Sequence, residues 1–248
     1  MSPWPHFSKA PITEALLDIR ASLPPSIDLP RLAVFQDAIR DRYPERIERM
    51  QGTLALQMKD GALEEVSKST STNGYLFKTA DGRQIVQARL DGFTFHRLKP
   101  YERWETLRDE AKTHWRHYME IATPESVTRI ALRYINVLEL PLPVTNFKDY
   151  ILTVPDVAPS LPQELRTFFL RLEIPDDRRH ALVIITETIQ APTGDGKTLP
   201  FVFDIDAIRE TSFQAGSAEM WDAFEQLRDL KNEAFFNSLT YKARELFR

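Results

Sequence analysis

Residues 127–140 of the chain read VTRIALRYINVLEL, and their pattern is that of a strand at the centre of a sheet. Apolar and polar side chains alternate along this stretch, as they do along a β-strand with two different faces. Ile130, Leu132 and Leu138 fall on one face, whereas Arg129 and Arg133 fall on the other. Such strands belong to antiparallel sheets that bury one face against helices. The stretch therefore predicts a sheet with one apolar face and one charged face.

Similar strand patterns recur on both sides of this stretch. They are predicted at residues 12–23, 53–58, 75–79, 84–95, 167–174, 180–190 and 200–208. Apolar residues at three- and four-residue steps predict helices at residues 29–43, 101–122, 147–154 and 218–247. Residues 61–73 are polar, and we expect them to be mostly loop. Strands and helices in this order predict an α+β fold.

The order of elements in residues 1–123 recurs in residues 124–248. Each half reads strand, helix, two or three antiparallel strands and a long helix. Thr13 and Thr128 begin the first strands, 115 residues apart, and Trp104 and Trp221 begin the last helices, 117 residues apart. This spacing indicates two copies of a βαβββα-like unit. We therefore predict one continuous curved antiparallel sheet with pseudo-twofold symmetry and both long helices on one face.

Composition and charge exclude several classes of protein and site. The 248 residues carry a net charge of −4, with 27% charged and 42% hydrophobic residues, which is typical of globular proteins. The absence of cysteine excludes disulfides, thiolate nucleophiles and cysteine-bound zinc. No apolar run approaches the roughly 20 residues that span a membrane. Because no secretory signal is visible at the start either, we expect a cytoplasmic protein without a membrane partner.

The charged face of the predicted sheet is the first candidate for a binding site. It carries six acids and five arginines: Glu14, Asp18, Asp91, Glu173, Asp204, Asp206, Arg20, Arg89, Arg129, Arg133 and Arg171. Arg133 is flanked by apolar residues in a central strand, and an isolated buried charge is costly. Asp18 and Glu14, from the equivalent strand of the other half, are therefore its expected partners.

Asn136 falls on the apolar face of the same strand, where it needs hydrogen-bond partners. We predict that Glu14, Arg89, Arg129, Arg133 and Asn136 bind a ligand or a partner. The alternative is that they form an ion-paired pair of strands with a structural role only.

Two other groups of residues could bind a metal ion. His114 and His117 lie one helical turn apart, with Glu120 a further turn on. Asp204 and Asp206, with Glu173 or Glu187 from nearby strands, could assemble carboxylates around Mg²⁺. Both groups also fit ordinary polar residues on a helix flank and on a solvated sheet face.

No motif predicts a cofactor. The sequence TGDGKT at residues 193–198 contains G-x-G-K-T, but it lacks the first half of a phosphate-binding loop and joins two strands. We expect it to be a hairpin loop.

Aromatic residues alternate with arginine between Phe93 and Trp104, a pattern that suits stacking on nucleic-acid bases. The acidic total charge and the expected packing of Trp104 and Tyr101 in a helix argue against nucleic acid as the partner.

Four segments carry a resemblance to a known family. They are PITEA at residues 11–15, LKPYERW at residues 98–104, RIALRYIN at residues 129–136 followed by Pro141, and the C-terminal helix that starts near Trp221. Together they resemble a sporadically distributed family of uncharacterised bacterial proteins of about the same length, over nearly the whole chain. The resemblance implies a bacterial source and the patchy inheritance of mobile-element, defence and toxin–antitoxin accessory genes. It supplies no catalytic residues.

These observations predict a non-catalytic binding or interaction module, with a protein or a small ligand as partner. The resemblance adds a role as an accessory protein of a bacterial defence or toxin–antitoxin system. One alternative is a metal-dependent enzyme that uses the strand carboxylates or the His114/His117 helix, and another is a nucleic-acid-binding protein. The outer strands of an open sheet need protection, which also favours a homodimer.

Overall fold

Strands outnumber helices in the computed structural model, which describes residues 4–5, 7–59, 62–192 and 196–248. The strands are β1 (Ile12–Ser22), β2 (Glu45–Lys59), β3 (Ala62–Lys78), β4 (Gln84–Arg89), β5 (Gly92–Leu98), β6 (Ser126–Pro141), β7 (Phe169–Asp176), β8 (Ala181–Ile189) and β9 (Thr198–Phe213). The α-helices are α1 (Leu29–Ala33), α2 (Phe35–Ile39), α3 (Trp104–Ala122), α4 (Ala218–Ser238) and α5 (Tyr241–Glu245), with one 3₁₀ turn at Phe147–Asp149. None of the helices in these ranges has the length and apolar character that crossing a membrane requires.

The nine strands form one open sheet in the order β2-β3-β4-β5-β1-β6-β9-β8-β7. All eight pairs of neighbours are antiparallel. At the centre β1 pairs with β6, and Leu17 lies directly opposite Leu132. The prediction of an α+β protein with one continuous antiparallel sheet is confirmed.

The apolar face of the sheet is covered by the two long helices. Leu17, Phe95 and Phe203 are fully buried on this face, and each such side chain contributes about 1.5–3 kcal/mol to stability. The helices touch each other, because Trp104 Nε1 of α3 donates to Glu225 Oε1 of α4 at 2.8 Å. One hydrophobic core therefore extends across both halves of the chain.

The predicted loop at residues 61–73 is wrong, since residues from Ala62 onwards belong to β3. This strand pairs with β2 along a hairpin in which Glu45 lies opposite Lys78 and Lys59 lies opposite Ala62. Backbone pairing with β2 holds the segment extended. The prediction relied on apolar alternation, which a strand needs only where one face is buried.

The helix predicted at residues 218–247 breaks at Leu239. This residue has an extended backbone, with φ −98° and ψ 135°, and it forms a bridge with Ile151. Thr240 then caps α5 by accepting a hydrogen bond from the Ala243 amide at 3.2 Å. The bridge also explains why residues 147–154 form only a 3₁₀ turn, since the Leu152 amide donates to Ser238 at 2.8 Å.

Replacing Gly92 with alanine should lower the free energy of unfolding by about 2–3 kcal/mol. Gly92 begins β5 with φ +141°, and a Cβ there would overlap the carbonyl oxygen of Ile19 in β1. Urea unfolding of the purified protein measures the effect. Gly82→Ala is the matched control, because Gly82 also has a positive φ, +67°, but has open space around its Cβ. The control should lose about 1 kcal/mol, and an equal loss in both variants would contradict the steric explanation.

Candidate functional site

An ionic network lies on the uncovered face at the centre of the sheet. The carboxylate of Asp18 accepts hydrogen bonds from Arg89 Nη2 at 2.8 Å, Thr94 Oγ1 at 2.7 Å and Arg129 Nη1 at 3.0 Å. Although burial alone would raise the pKa of Asp18, the charge of Arg89 and the bond from Thr94 lower it below its ordinary value. The network therefore holds Asp18 in its charged form.

Arg133 has a different partner from the two that the sequence predicted. It binds Asp204 of β9, with Nε 2.9 Å from Oδ1 and Nη2 2.5 Å from Oδ2. The expected pairing with Asp18 or Glu14 is wrong. The strand register explains the difference, because β1 places Leu16 opposite Arg133, whereas β9 offers carboxylates on that side.

Two other acids of this face, Glu14 and Asp206, also lie beside basic side chains. Glu14 binds His96 Nδ1 at 2.6 Å, and this hydrogen bond lowers the pKa of Glu14. Asp206 lies 4.0 Å from Arg129, and burial raises the pKa of Asp206. The structure thus brings Glu14, Arg89, Arg129 and Arg133 onto one face, where acids of the same chain already balance the arginines.

A cavity of about 200 Å³ lies on the opposite face, where α3, α4, β6 and an N-terminal arm (residues 4–5 and 7–11) meet. Its walls are formed by Trp4, Pro5, Phe7, Ala10, Pro11, Ile12, Tyr101, Glu102, Arg103, Trp104, Glu105, Tyr134, Asn136, Arg228, Lys231, Asn232, Phe235 and Phe236. An engineered apolar cavity of about 150 Å³ accepts benzene. The cavity therefore has room for a single ring or a short chain.

Lys231 of α4 brings an amine to this cavity. Its Nζ donates to Asn232 Oδ1 at 2.6 Å and lies 3.9 Å from the centre of the Tyr134 ring. Burial, together with the charge of Arg228, lowers the pKa of Lys231 to about 7. The nearby carboxylate of Glu105 pairs with Arg228, at 3.8 Å. No carboxylate in the described ranges forms an ion pair with Lys231 itself. The amine is therefore only partly protonated at neutral pH, and no counter-charge from the described part of the chain is paired with it.

Polar groups and aromatic rings surround this amine. The hydroxyls of Tyr101 and Tyr134 lie 2.7 Å apart. Asn136 finds the partners that its position requires, since Nδ2 donates to the Phe203 carbonyl at 2.9 Å. It lies on the other side of the sheet from the four charged residues that were predicted to act with it. The structure therefore does not bring those five residues together.

The charged groups that line the cavity leave a positive excess. Arg103, Arg228 and Lys231 are cationic, whereas Glu102 and Glu105 are the carboxylates. While Lys231 is protonated, three cations face two anions, which favours a negatively charged ligand.

The arm closes one side of the cavity with aromatic rings. Trp4 stacks on Phe236 of α4, with ring centres 4.9 Å apart and an interplanar angle of 3°. The arm is also fixed at its other end, where the Lys9 amide donates to the Phe247 carbonyl at 3.0 Å. An apolar wall thus faces the polar end at Lys231, which is the usual composition of a small-molecule site.

The two histidines of α3 have different surroundings. His114 is buried, with Nε2 3.0 Å from the Tyr43 hydroxyl, and burial lowers the pKa of His114 to about 4. His117 is half-buried, and its Nδ1 lies 3.7 Å from Glu120. In the described part of the chain, no group of three His, Cys, Asp or Glu residues is placed to hold a metal ion.

Glu187 does not lie with the strand carboxylates that it was predicted to join. Thr186 is the residue of β8 opposite Asp204, so Glu187 points to the other face of the sheet. It is fully buried there, and neither carboxylate oxygen has a hydrogen-bond partner. Burial raises the pKa of Glu187 to about 8. Glu173, the other predicted member, binds Arg171 at 2.7 Å.

Two further features of the sequence concern nucleotides and nucleic acids. Phe93 and Phe95 are fully buried and Trp104 is 3% exposed, so these rings are not free to stack on nucleic-acid bases. Residues 193–195, which begin the predicted TGDGKT loop, lie outside the described residues.

Lys231 was not among the predicted site residues, although its position in the sequence is unusual for a lysine. Leu227, Lys231 and Phe235 follow one another at four-residue steps, so the lysine falls within the apolar stripe of α4. Glu187 gives the same kind of signal, because it alternates with Ile185 and Ile189 on the buried face of β8. Both residues can therefore be recognised as charged side chains at positions where the pattern of the helix or strand predicts an apolar one.

A scan against protein-family models and a search of curated proteins both returned no match. Neither comparison therefore indicates a role for the cavity.

Proposed function

We propose that the protein is a non-catalytic binding module whose ligand is a small carboxylate with an aromatic or apolar part. The observation that carries the proposal is Lys231, an amine in a cavity with no carboxylate of the described residues paired to it. Removing a cation even partly from water without a counter-charge is costly. A ligand carboxylate supplies that charge, and the positive excess of the lining residues supports the same sign of ligand.

The two ends of the cavity bind different parts of the proposed ligand. Lys231 and the side-chain amide of Asn232 offer hydrogen bonds to a carboxylate. Trp4 and Phe236 offer stacked rings to an aromatic or aliphatic group. Binding by such groups needs no reaction step, which is why we favour a binding module over an enzyme.

We also propose that the chain arose by internal duplication. The strand order supports it, since β1, β5, β4 and β3 on one side of the centre match β6, β9, β8 and β7 on the other. The 115-residue offset between Thr13 and Thr128 carries Leu17 onto Leu132, and these two residues lie opposite each other in the central pair. A pseudo-twofold axis through that pair is consistent with both facts.

The helices support the duplication as well. The 117-residue offset between Trp104 and Trp221 carries His114 onto Lys231. Both are polar residues on the inner side of a long helix, and each contacts a tyrosine, Tyr43 in one case and Tyr134 in the other. The proposed binding function thus rests on one of two equivalent helix positions.

Replacing Lys231 with methionine should weaken carboxylate binding by about tenfold or more, because the ligand loses a charged hydrogen-bond partner. Calorimetric titrations with acetate, butyrate, hexanoate and benzoate measure the affinity, and benzamide serves as the neutral counterpart of benzoate. Lys112→Met is the matched control, because the Lys112 amine also lies over an aromatic ring, 5.1 Å from the centre of Trp221, but outside the cavity.

The affinity of the wild-type protein should also fall as the pH rises above about 7. The free amine has a pKa of about 7, so at higher pH it must take up a proton to pair with the anion. Lys231→Met should lack this dependence, and Lys112→Met should keep it. The proposal is overturned if none of the carboxylates binds, or if Lys231→Met binds them as tightly as the wild type.

A further inference from the structure

Strand β7 ends the sheet, and its outer edge has no partner strand within the described part of the chain. Two of its apolar side chains are exposed, Phe169 at 72% and Ile174 at 43%. A free edge with exposed apolar groups is a template for pairing with another strand. We propose that this edge pairs with β7 of a second copy of the chain, which makes the protein a symmetric homodimer.

The sequence of β7 is complementary to itself in an antiparallel arrangement. Centring the pair on Leu172 places Arg171 of one protomer opposite Glu173 of its partner, and the reverse pair forms on the other side of the axis. Within one chain these two side chains already lie on the same face of the sheet, 2.7 Å apart. The same register places Leu170 opposite Ile174 of the partner. Opposite charges and apolar groups thus meet their complements across a closed twofold interface.

The single proline of the strand fits this geometry. Pro175 has no N–H, so it suits a position whose backbone is turned away from β8. Backbone groups alternate in direction along a strand, so Arg171 and Glu173 then turn their N–H and C=O groups to the free edge as well. These are the residues that the proposed register pairs directly. The backbone at the centre of the edge is therefore free to form a ladder with the second copy.

Charge reversal at the two positions tests the interface. Light scattering during gel filtration, over a series of protein concentrations, measures the mass of each species. The wild type should have twice the mass of one chain, whereas R171E and E173R should each be monomers because like charges then face each other. The double variant R171E/E173R should dimerise again. An equal mixture of the two single variants should form a heterodimer, since every facing pair in it is again of opposite sign.

Arg40→Glu is the matched control, because Arg40 forms an exposed ion pair with Asp37 at the end of α2, and the neighbouring helix α1 packs on β3, near the opposite end of the sheet from β7. Thermal unfolding of each variant establishes that the fold is retained. A wild-type protein that stays monomeric at every concentration overturns the proposal. A dimer that neither single reversal weakens also overturns it, because the interface then lies elsewhere.

Discussion

Replacing Asp18 with alanine should lower the free energy of unfolding by about 3–5 kcal/mol at neutral pH, the usual cost of removing one partner of a buried ion pair. The side chain of Arg89 is only 3% exposed and would lose its hydrogen bond to the carboxylate. Thr94 and Arg129 would lose bonds at the same time. Urea unfolding followed by circular dichroism measures the change.

An exposed acid provides the control for this experiment. Asp156 pairs with Lys148, but its side chain is 81% exposed. Asp156→Ala should therefore change the free energy of unfolding by about 0.5 kcal/mol or less. If Asp18→Ala has an equally small effect, the network on the uncovered face contributes nothing to stability, and its arginines are then available for a ligand.

The pH dependence of stability should change when Glu187 becomes glutamine. The pKa of Glu187 is about 8 in the folded protein, against an ordinary value of 4.5. The unfolded chain therefore loses this proton first, and the group destabilises the fold increasingly as the pH rises from about 4.5 to about 8. Between pH 5 and pH 7 the variant should gain about 2–3 kcal/mol of stability relative to the wild type.

Glu164→Gln is the matched control, because the side chain of Glu164 is 80% exposed. Its free energy of unfolding should differ from that of the wild type by about 0.5 kcal/mol or less, as for other exposed substitutions. Comparing each variant with the wild type at the same pH cancels the contributions of all other titrating groups. A constant difference between Glu187→Gln and the wild type from pH 5 to pH 7 would mean that the Glu187 carboxylate is solvated or paired.

The central strands were predictable from the sequence because their faces differ so clearly. Arg129 and Arg133 alternate with Ile130 and Leu132, and this pattern alone separates the covered face from the uncovered one. The break of the last helix at Leu239 was not predictable. It depends on a bridge to Ile151, which is distant in sequence, and local periodicity contains no information about such a contact.

The charged face was predicted with the right residues but not with the right pairs. Whether Arg133 meets Glu14 or Asp204 depends on the order of strands and their register, and a shift of one strand changes every pair. The composition of the face was therefore accessible from the sequence, whereas its hydrogen bonds required the three-dimensional arrangement.

The cavity was beyond prediction for a related reason. Trp4 and Phe236 form one wall although nearly the whole chain separates them. Lys231 belongs to the apolar stripe of α4, and only the packing of α3, β6 and the arm around it leaves space there. The sequence marks the lysine as unusual, but the empty volume beside it is a property of the fold.

The pKa of the Lys231 amine shows whether the cavity binds a carboxylate at this residue. Nuclear magnetic resonance of lysine-labelled protein, with Lys231→Met to assign the signal, follows the titration of that amine with and without benzoate. We expect a pKa of about 7 in the free protein and a higher value when benzoate is bound, because the anion stabilises the charged form. A pKa near 10.5 that benzoate leaves unchanged would contradict the proposal that a half-buried amine, with no carboxylate of the described residues paired to it, receives a ligand carboxylate.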